Sequence, residues 1–233
     1  MANIKKHLIF DLDDTIWDFQ RNSKETLLGL HQDYNLAKKG VTQQKFLQTF
    51  KEVNSRLWDQ FDEGLITRDV IREKRFHSVL DKLAISHNGE AMQMQDEFMQ
   101  KCSTSPFLVE GALQVLKHFH STYTFHILSN GFDEIQFVKL ESSGITHYFD
   151  KIITSGRAGF RKPQPEIFEF ALNEIGATKE ECIMIGDNPV ADIEGAFHFG
   201  MDQIYYNTHE KECAITPSYS IKNLTKLLTI LKN

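Results

Sequence analysis

Short apolar runs recur along the chain, and each ends in a polar or glycine-containing loop. Their length and flanking loops favour strands over helices, and the predicted strands are 7–10, 124–128, 151–153 and 182–185, with a weaker fifth at 203–206. From residue 110 onward these strands alternate with helical patterns at 110–121, 132–142, 165–175 and 190–199. Strands that alternate with helices predict an α/β fold, with a parallel sheet covered by helices on both faces.

One long segment interrupts this alternation. Residues 22–105 contain helical patterns and no convincing strand, with predicted helices at 23–34, 42–61, 67–83 and 89–102. In the second of these, apolar residues recur at three- and four-residue steps, as in Phe46, Phe50, Val53 and Leu57. A helical insertion must bury such a face, so we expect a separate helical cap domain at 18–106. Residues 1–17 and 107–233 then form the α/β core.

Composition restricts the partners of this chain. Its 233 residues carry a formal net charge of -6 and no long basic run, which argues against a nucleic-acid polymer or an anionic membrane as partner. The three cysteines are far apart and form no CxxC pair, so neither a disulfide framework nor a zinc site is predicted. The N-terminus is unlike a signal peptide, and no segment is apolar enough to span a bilayer. We expect a soluble cytoplasmic protein and leave its oligomeric state open.

Polar residues follow several of the predicted strands. Asp11 and Asp13 come directly after the first strand and, in an extended segment, point the same way. A solvated turn would account for one such aspartate. It accounts poorly for the polar residues at the other strand ends, which are Ser129, Asn130, Gly131, Asp187 and Asp192. Ligands of open α/β sheets bind at this edge, so we expect these side chains to form one site.

Clustered carboxylates need positive charge nearby. Carboxylates that lie close together repel, and one of them would normally take up a proton. A hard divalent cation removes this problem, and carboxylate, carbonyl and water oxygens suit Mg²⁺. Lys162, which precedes a proline and a predicted helix, supplies a further positive charge.

Together these residues resemble the four motifs of the haloacid dehalogenase (HAD) superfamily. The motifs are Asp11-x-Asp13-x-Thr15, Ser129 after an apolar strand, Lys162 before a proline, and Gly186-Asp187 with Asp192 five residues later. They occur in this order at the ends of predicted strands, and the resemblance spans essentially the whole chain. It implies a Rossmann-like, HAD-like parallel sheet core with an inserted helical cap, acting as a phosphatase.

The resemblance also implies catalytic roles. Asp11 would attack phosphorus and form an aspartyl-phosphate, which splits one difficult displacement into two easier ones. Asp13 would act as general acid for the leaving oxygen and then as base for water. Ser129 and Lys162 would bind the transferring phosphoryl oxygens.

The implied metal is Mg²⁺. Its ligands would be the Asp11 carboxylate, the Asp13 backbone carbonyl and Asp187. Asp192 would bind the metal directly, bind it through water, or only orient Lys162. True dehalogenases of the superfamily lack an acid at the position of Asp13 and need no magnesium, so Asp13 favours phosphoryl transfer.

The expected substrate is a small phosphomonoester, because inserted caps of this type resemble lids that close over small molecules. A finer resemblance, to pyrimidine 5′-nucleotidases, rests on DLDDTIWDF, 64–67, Arg75-Phe76 and 161–163. It implies a nucleoside 5′-monophosphate as substrate. Asn130, Gly131 and Trp17 are predicted to bind it, with core packing an equal alternative for Trp17. Arg68, Arg72 and Arg75 are cap candidates, although a solvated helix face is favoured for them.

Three alternatives stay open. A phospho-accepting receiver domain also uses aspartates, a lysine and magnesium, but it would lack the large helical insertion. A catalytically silent scaffold would keep the fold for interaction alone. Sugar-phosphate hydrolysis or phosphomutase chemistry would use the same core.

Overall fold

A computed structural model describes residues 5–87 and 89–231. Within them, six strands form one sheet in the order β3-β2-β1-β4-β5-β6, and every neighbouring pair is parallel. The strands are β1 His7–Phe10, β2 Thr124–Ser129, β3 Phe149–Thr154, β4 Cys182–Gly186, β5 Asp202–Tyr206 and β6 Tyr219–Ile221. The predicted Rossmann-like α/β class is confirmed. The short edge strand β6 was not predicted, because only Ile221 of its three residues is buried.

The central strand β1 determines where the loops at the carboxyl edge of the sheet begin. Leu8, Ile9 and Phe10 of β1 are completely buried, as expected for a strand that helices cover on both faces. Phe10 pairs with Ile127 of β2 and with Ile185 of β4. Because these three strands are in register, the loops that follow them begin at the same edge of the sheet.

The helices of the α/β part differ from prediction mainly after β4. They are α5 Ala112–Phe119, α6 Asp133–Ser142, α7 Ser155–Ala158, α8 Pro165–Ile175, α9 Gly195–Phe199 and α10 Leu227–Ile230. The helix predicted at 190–199 is wrong in its first half, where Pro189–Glu194 forms a wider π-helical turn and α9 begins only at Gly195. The Asn188 side chain accepts from the N–H groups of Val190 and Ala191 and so fixes the start of this turn.

The chain divides into two compact units, one running up to Phe19 and again from Pro106, and the other spanning Gln20–Ser105. The four long helices are α1 Phe19–Asp33, α2 Gln43–Asp62, α3 Arg68–Lys82 and α4 Glu90–Ser103. Phe50, Phe76 and Phe98 form the aromatic centre of the helical unit, with ring centroids 4.9–5.6 Å apart. Across the described parts of the chain, no helix combines the length and apolarity that a membrane span requires.

The solvated face favoured for the three cap arginines is wrong for one of them. Arg72 is exposed and pairs with Asp96 at 2.9 Å, as expected. Arg75 is only 3% exposed, lies over the Phe98 ring and donates to Met99 Sδ at 3.5 Å. Burial lowers the pKa of Arg75 to about 10.

The sheet core contains a buried cluster with residues from four strands and three helices. Ile9, Leu128 and Ile153 come from β1, β2 and β3, and Phe168 from α8 is fully buried in the same cluster. Replacing a buried aromatic ring by alanine removes its burial and leaves a cavity.

We therefore expect Phe168→Ala to lower the free energy of unfolding by about 3–5 kcal/mol. Phe197→Ala on the neighbouring helix is the matched control, since Phe197 is 46% exposed and should cost less than about 1 kcal/mol. Urea unfolding followed by circular dichroism measures both. Equal losses for the two variants would contradict this assignment of the core.

Candidate active site

The turn after β1 places two aspartates at the sheet edge. The N–H of Asp11 donates to the carbonyl of Ile185 at 2.8 Å, so the ladder with β4 continues one residue beyond the strand. Asp14 then adopts a left-handed conformation with φ 58, and its N–H donates to the Trp17 carbonyl at 2.8 Å. Aspartate tolerates this conformation better than most residues. The chain therefore reverses immediately after Asp13.

A buried lysine joins three loops at this edge. Lys162 is 2% exposed, and its Nζ donates to the Leu128 carbonyl at 2.6 Å, to Asp11 Oδ1 at 2.7 Å and to Asp192 Oδ1 at 2.6 Å. These acceptors match the three hydrogens of the ammonium group. Burial alone would lower the pKa of Lys162, but the carboxylates of Asp11 and Asp192 outweigh it and the pKa is raised. The ammonium stays charged and holds both carboxylates.

Asn130 supports this lysine. Its Nδ2 donates to the carbonyl of Lys162 at 2.9 Å, and its Oδ1 accepts from the Lys162 N–H at 2.9 Å. The side-chain amide thus binds both peptide groups of one residue. These bonds give Asn130 a positioning role toward Lys162, and its predicted contact with substrate stays a prediction.

Three carboxylates form a candidate metal centre. Ligand oxygens of Asp11, Asp187 and Asp192 all lie within 4.8 Å of one another. Desolvation raises the pKa of Asp187 well above its usual range, and the charges of Asp11 and Asp192 raise it further. Desolvation also raises the pKa of Asp11, although Lys162 opposes this shift. When ionised, the three carboxylates exceed the one lysine by two negative charges, so the residues fit a divalent cation such as Mg²⁺.

Asp192 is held on both oxygens. Its Oδ1 accepts from Lys162, and its Oδ2 accepts from the N–H of Asn188 at 3.0 Å. A Cβ on Gly186 would lie 2.1 Å from Oδ2, so only glycine allows this close approach. Of the three predicted possibilities for Asp192, the geometry favours the one in which it orients Lys162.

The carboxylate of Asp13 lies apart from this centre. Lys139 Nζ donates to its two oxygens at 2.6 and 2.8 Å, and Gln136 Nε2 donates to Oδ2 at 3.0 Å. Neither Lys139 nor Gln136 was predicted to belong to the site. A signal did exist, because both are polar and share with Leu140 the buried face of a helix that begins just after Ser129.

Ser129 is arranged as a hydrogen-bond donor. Its Oγ accepts from Gln136 Nε2 at 2.9 Å and from the N–H of Gly131 at 3.0 Å. A hydroxyl with both lone pairs engaged has its own hydrogen left to donate. The N–H of Gly131 donates in this bond, so Gly131 positions Ser129, and its predicted contact with substrate stays a prediction.

Trp17 is completely buried. Lys139 Nζ lies over its ring at 4.7 Å from the centroid, and its main chain forms bridges with Asp13 and Leu108. Of the two interpretations of Trp17, packing is the one that this burial favours.

We expect Gly131→Ala to disrupt the contacts around Ser129, because the added Cβ would lie 1.6 Å from Gln136 Nε2. Overpacking of this kind costs about 1–3 kcal/mol. Gly29→Ala in α1 is the control, since its Cβ would meet no atom within 4 Å and alanine favours helix. Thermal unfolding should show a lower Tm for Gly131→Ala and an unchanged or higher Tm for Gly29→Ala. An unchanged Tm for Gly131→Ala would contradict the packing described.

Comparison with known proteins gives consistent results. A family model for haloacid dehalogenase-like hydrolases matches residues 5–200. The HAD-hydrolase YfnB of Bacillus subtilis is 31% identical over 96% of this chain and 94% of its own. Its crystal structure bound to magnesium covers 98% of this chain and 99% of its own, with a TM-score of 0.88.

Two further relatives carry names that specify a substrate. The pyrimidine 5′-nucleotidase YjjG of Escherichia coli is 29% identical over 96% of both chains. A glyceraldehyde 3-phosphate phosphatase of Methanothermobacter thermautotrophicus is 30% identical over 89% of this chain and 88% of its own. The family match, the near-complete coverage and the order of the four motifs agree, and this chain belongs to the haloacid dehalogenase-like hydrolases.

Proposed function

We propose that this protein is a magnesium-dependent phosphomonoester hydrolase that acts through an aspartyl-phosphate on Asp11. One observation carries the proposal, namely that the carboxylates of the site fall into two groups. Asp11 lies with Asp187 and Asp192 around Lys162, whereas the Asp13 carboxylate lies beside Ser129 through Gln136. A nucleophile and a separate proton carrier are what a two-step hydrolysis requires.

Hydrolysis proceeds in two steps. In the first, a carboxylate oxygen of Asp11 bonds to phosphorus while the bond from phosphorus to the leaving oxygen breaks. The Asp13 carboxyl group gives its proton to that oxygen. In the second, the oxygen of a water molecule bonds to phosphorus, its proton passes to the Asp13 carboxylate, and the bond from Asp11 to phosphorus breaks. Phosphate leaves, and both side chains return to their starting state.

The remaining site residues stabilise charge. The hydroxyl of Ser129 donates to a phosphoryl oxygen, since its other contacts only use its lone pairs. Lys162 neutralises Asp11 and Asp192, and its three hydrogens are already engaged by protein acceptors. Asp11, Asp187 and the Asp13 carbonyl would hold Mg²⁺, which would supply neutralisation of the transferring phosphoryl group. The magnesium in the structure of YfnB supports this choice of metal.

A nucleoside 5′-monophosphate is the proposed substrate. The similarity to YjjG over 96% of both chains supports it, as does the segment after Asp11. The helical unit Gln20–Ser105 would serve as the cap that selects a small substrate. The archaeal glyceraldehyde 3-phosphate phosphatase supports sugar-phosphate hydrolysis as the second candidate.

We expect Asp11→Asn to lower magnesium-dependent phosphate release by at least roughly 10³-fold, because an amide cannot act as the nucleophile. Chelation of the metal should abolish release by the wild type. Asp202→Asn is the matched control, since Asp202 lies at the exposed start of β5 and forms an ion pair with Lys5, and the activity of this variant should be unchanged. Substantial activity in Asp11→Asn would rule out the aspartyl-phosphate route.

A substrate panel separates the two candidates. We expect kcat/KM for nucleoside 5′-monophosphates to exceed that for glyceraldehyde 3-phosphate and hexose phosphates by at least about tenfold, or about 1.4 kcal/mol in transition-state binding. Phosphate release under identical magnesium concentrations measures this ratio. The opposite ratio would establish the sugar-phosphate candidate and leave the mechanism intact. Release from no compound in the panel would favour a silent scaffold.

A further inference from the structure

Lys139 is a buried cation placed between Asp13 and an aromatic ring. Its side chain is 9% exposed, and the ammonium group binds both oxygens of Asp13 on one side. On the other side it lies 4.7 Å from the ring centroid of Trp17, in the geometry of a cation–π contact. A long flexible side chain that is fixed on two sides can hold its partner in one orientation.

Gln136 ties the same carboxylate to Ser129. Its Nε2 donates to Asp13 Oδ2 and to Ser129 Oγ, so one amide group sets the distance between them. Gln136 is completely buried, and its Oε1 has no partner among the described residues. An unsatisfied buried oxygen costs free energy that an apolar side chain would avoid. A role in packing alone therefore does not explain why a glutamine occupies this position.

We propose that Lys139 and Gln136 are positioning residues that orient the Asp13 carboxylate for proton transfer. The inference rests on the function proposed above, in which Asp13 protonates the leaving oxygen. The Asp13 side chain is 31% exposed and would otherwise rotate in solvent. Lys139 and Gln136 of α6 hold the carboxylate, and Gln136 also links it to Ser129, whose hydroxyl donates a hydrogen bond to the phosphoryl group. The carboxylate therefore stays beside the position of the leaving group. Proton transfer depends on such placement to within a fraction of an ångström.

The test compares two leaving groups. The phenolate of p-nitrophenyl phosphate leaves without a proton, whereas the alkoxide of an alkyl phosphate needs one. Because kcat/KM reports stabilisation of the transition state that releases this group, a misplaced acid lowers it mainly for the alkyl ester. For Lys139→Met we expect kcat/KM to fall roughly 10- to 100-fold on the best alkyl phosphate of the panel. The fall on p-nitrophenyl phosphate should be below about threefold.

Three variants serve as controls. Lys139→Arg keeps a cation that can bind the carboxylate and stack on the ring, so it should restore most of the loss. Lys117→Met removes an exposed lysine of α5 and should leave both substrates unchanged. If Lys139→Met fails to fold by circular dichroism, Gln136→Met carries the same test. It removes one bond to Asp13 and the bond to Ser129, so we expect a smaller selective loss on the alkyl ester on top of an equal loss on both esters.

Asp13→Asn separates this inference from the proposed function. A selective loss on the alkyl ester for Asp13→Asn, Lys139→Met and Gln136→Met supports both. A selective loss for Asp13→Asn combined with equal losses on both esters for the other two variants overturns the positioning role alone. No selective loss for Asp13→Asn overturns the proton transfer by Asp13, and the inference with it.

Discussion

The buried ammonium group of Lys162 is the interaction on which the site depends. It lies on the loop before α8, yet its acceptors follow β1, end β2 and belong to the turn after β4. A charge in a poorly solvated environment must be paired, and here the acceptors satisfy every hydrogen of the ammonium. Asn130 fixes the peptide groups of the lysine, and Gly186 leaves room for Asp192. The loops at this edge therefore hold one another in place through a single cation.

The second lysine of the site, Lys139, gives Asp13 a different environment from that of Asp11. Lys139 pairs with Asp13 as Lys162 pairs with Asp11 and Asp192, so the negative charge of the site is distributed over two separate centres. The centre around Lys162 retains an excess of negative charge that suits a divalent metal. In the centre around Lys139, Gln136 joins the Asp13 carboxylate to the Ser129 hydroxyl. Two carboxylates in different surroundings can take different chemical roles within one fold.

Much of this arrangement could be predicted from the sequence. Alternating strands and helices predicted the parallel sheet, and the polar residues after the strands predicted which side chains meet at its edge. The errors share a physical cause. The π-helical turn at Pro189–Glu194 depends on Asn188 and Asp192 bonding locally, which no apolar periodicity records. The burial of Arg75 depends on neighbouring aromatic rings from another helix, so local composition pointed to the wrong face.

By itself, the sequence determined the class of fold, the helical insertion and the candidate nucleophile, because strand periodicity and residue type are local properties. Only the tertiary structure decided which role each polar group takes. Asn130 binds the peptide groups of Lys162, and the N–H of Gly131 donates to Ser129. Trp17 is buried, and Lys139 and Gln136 of α6 reach Asp13. Hydrogen bonds between residues more than a hundred positions apart, such as that of Lys139 to Asp13, have no periodic signature in a chain. They exist because parallel strands in register bring distant loops to one edge of the sheet.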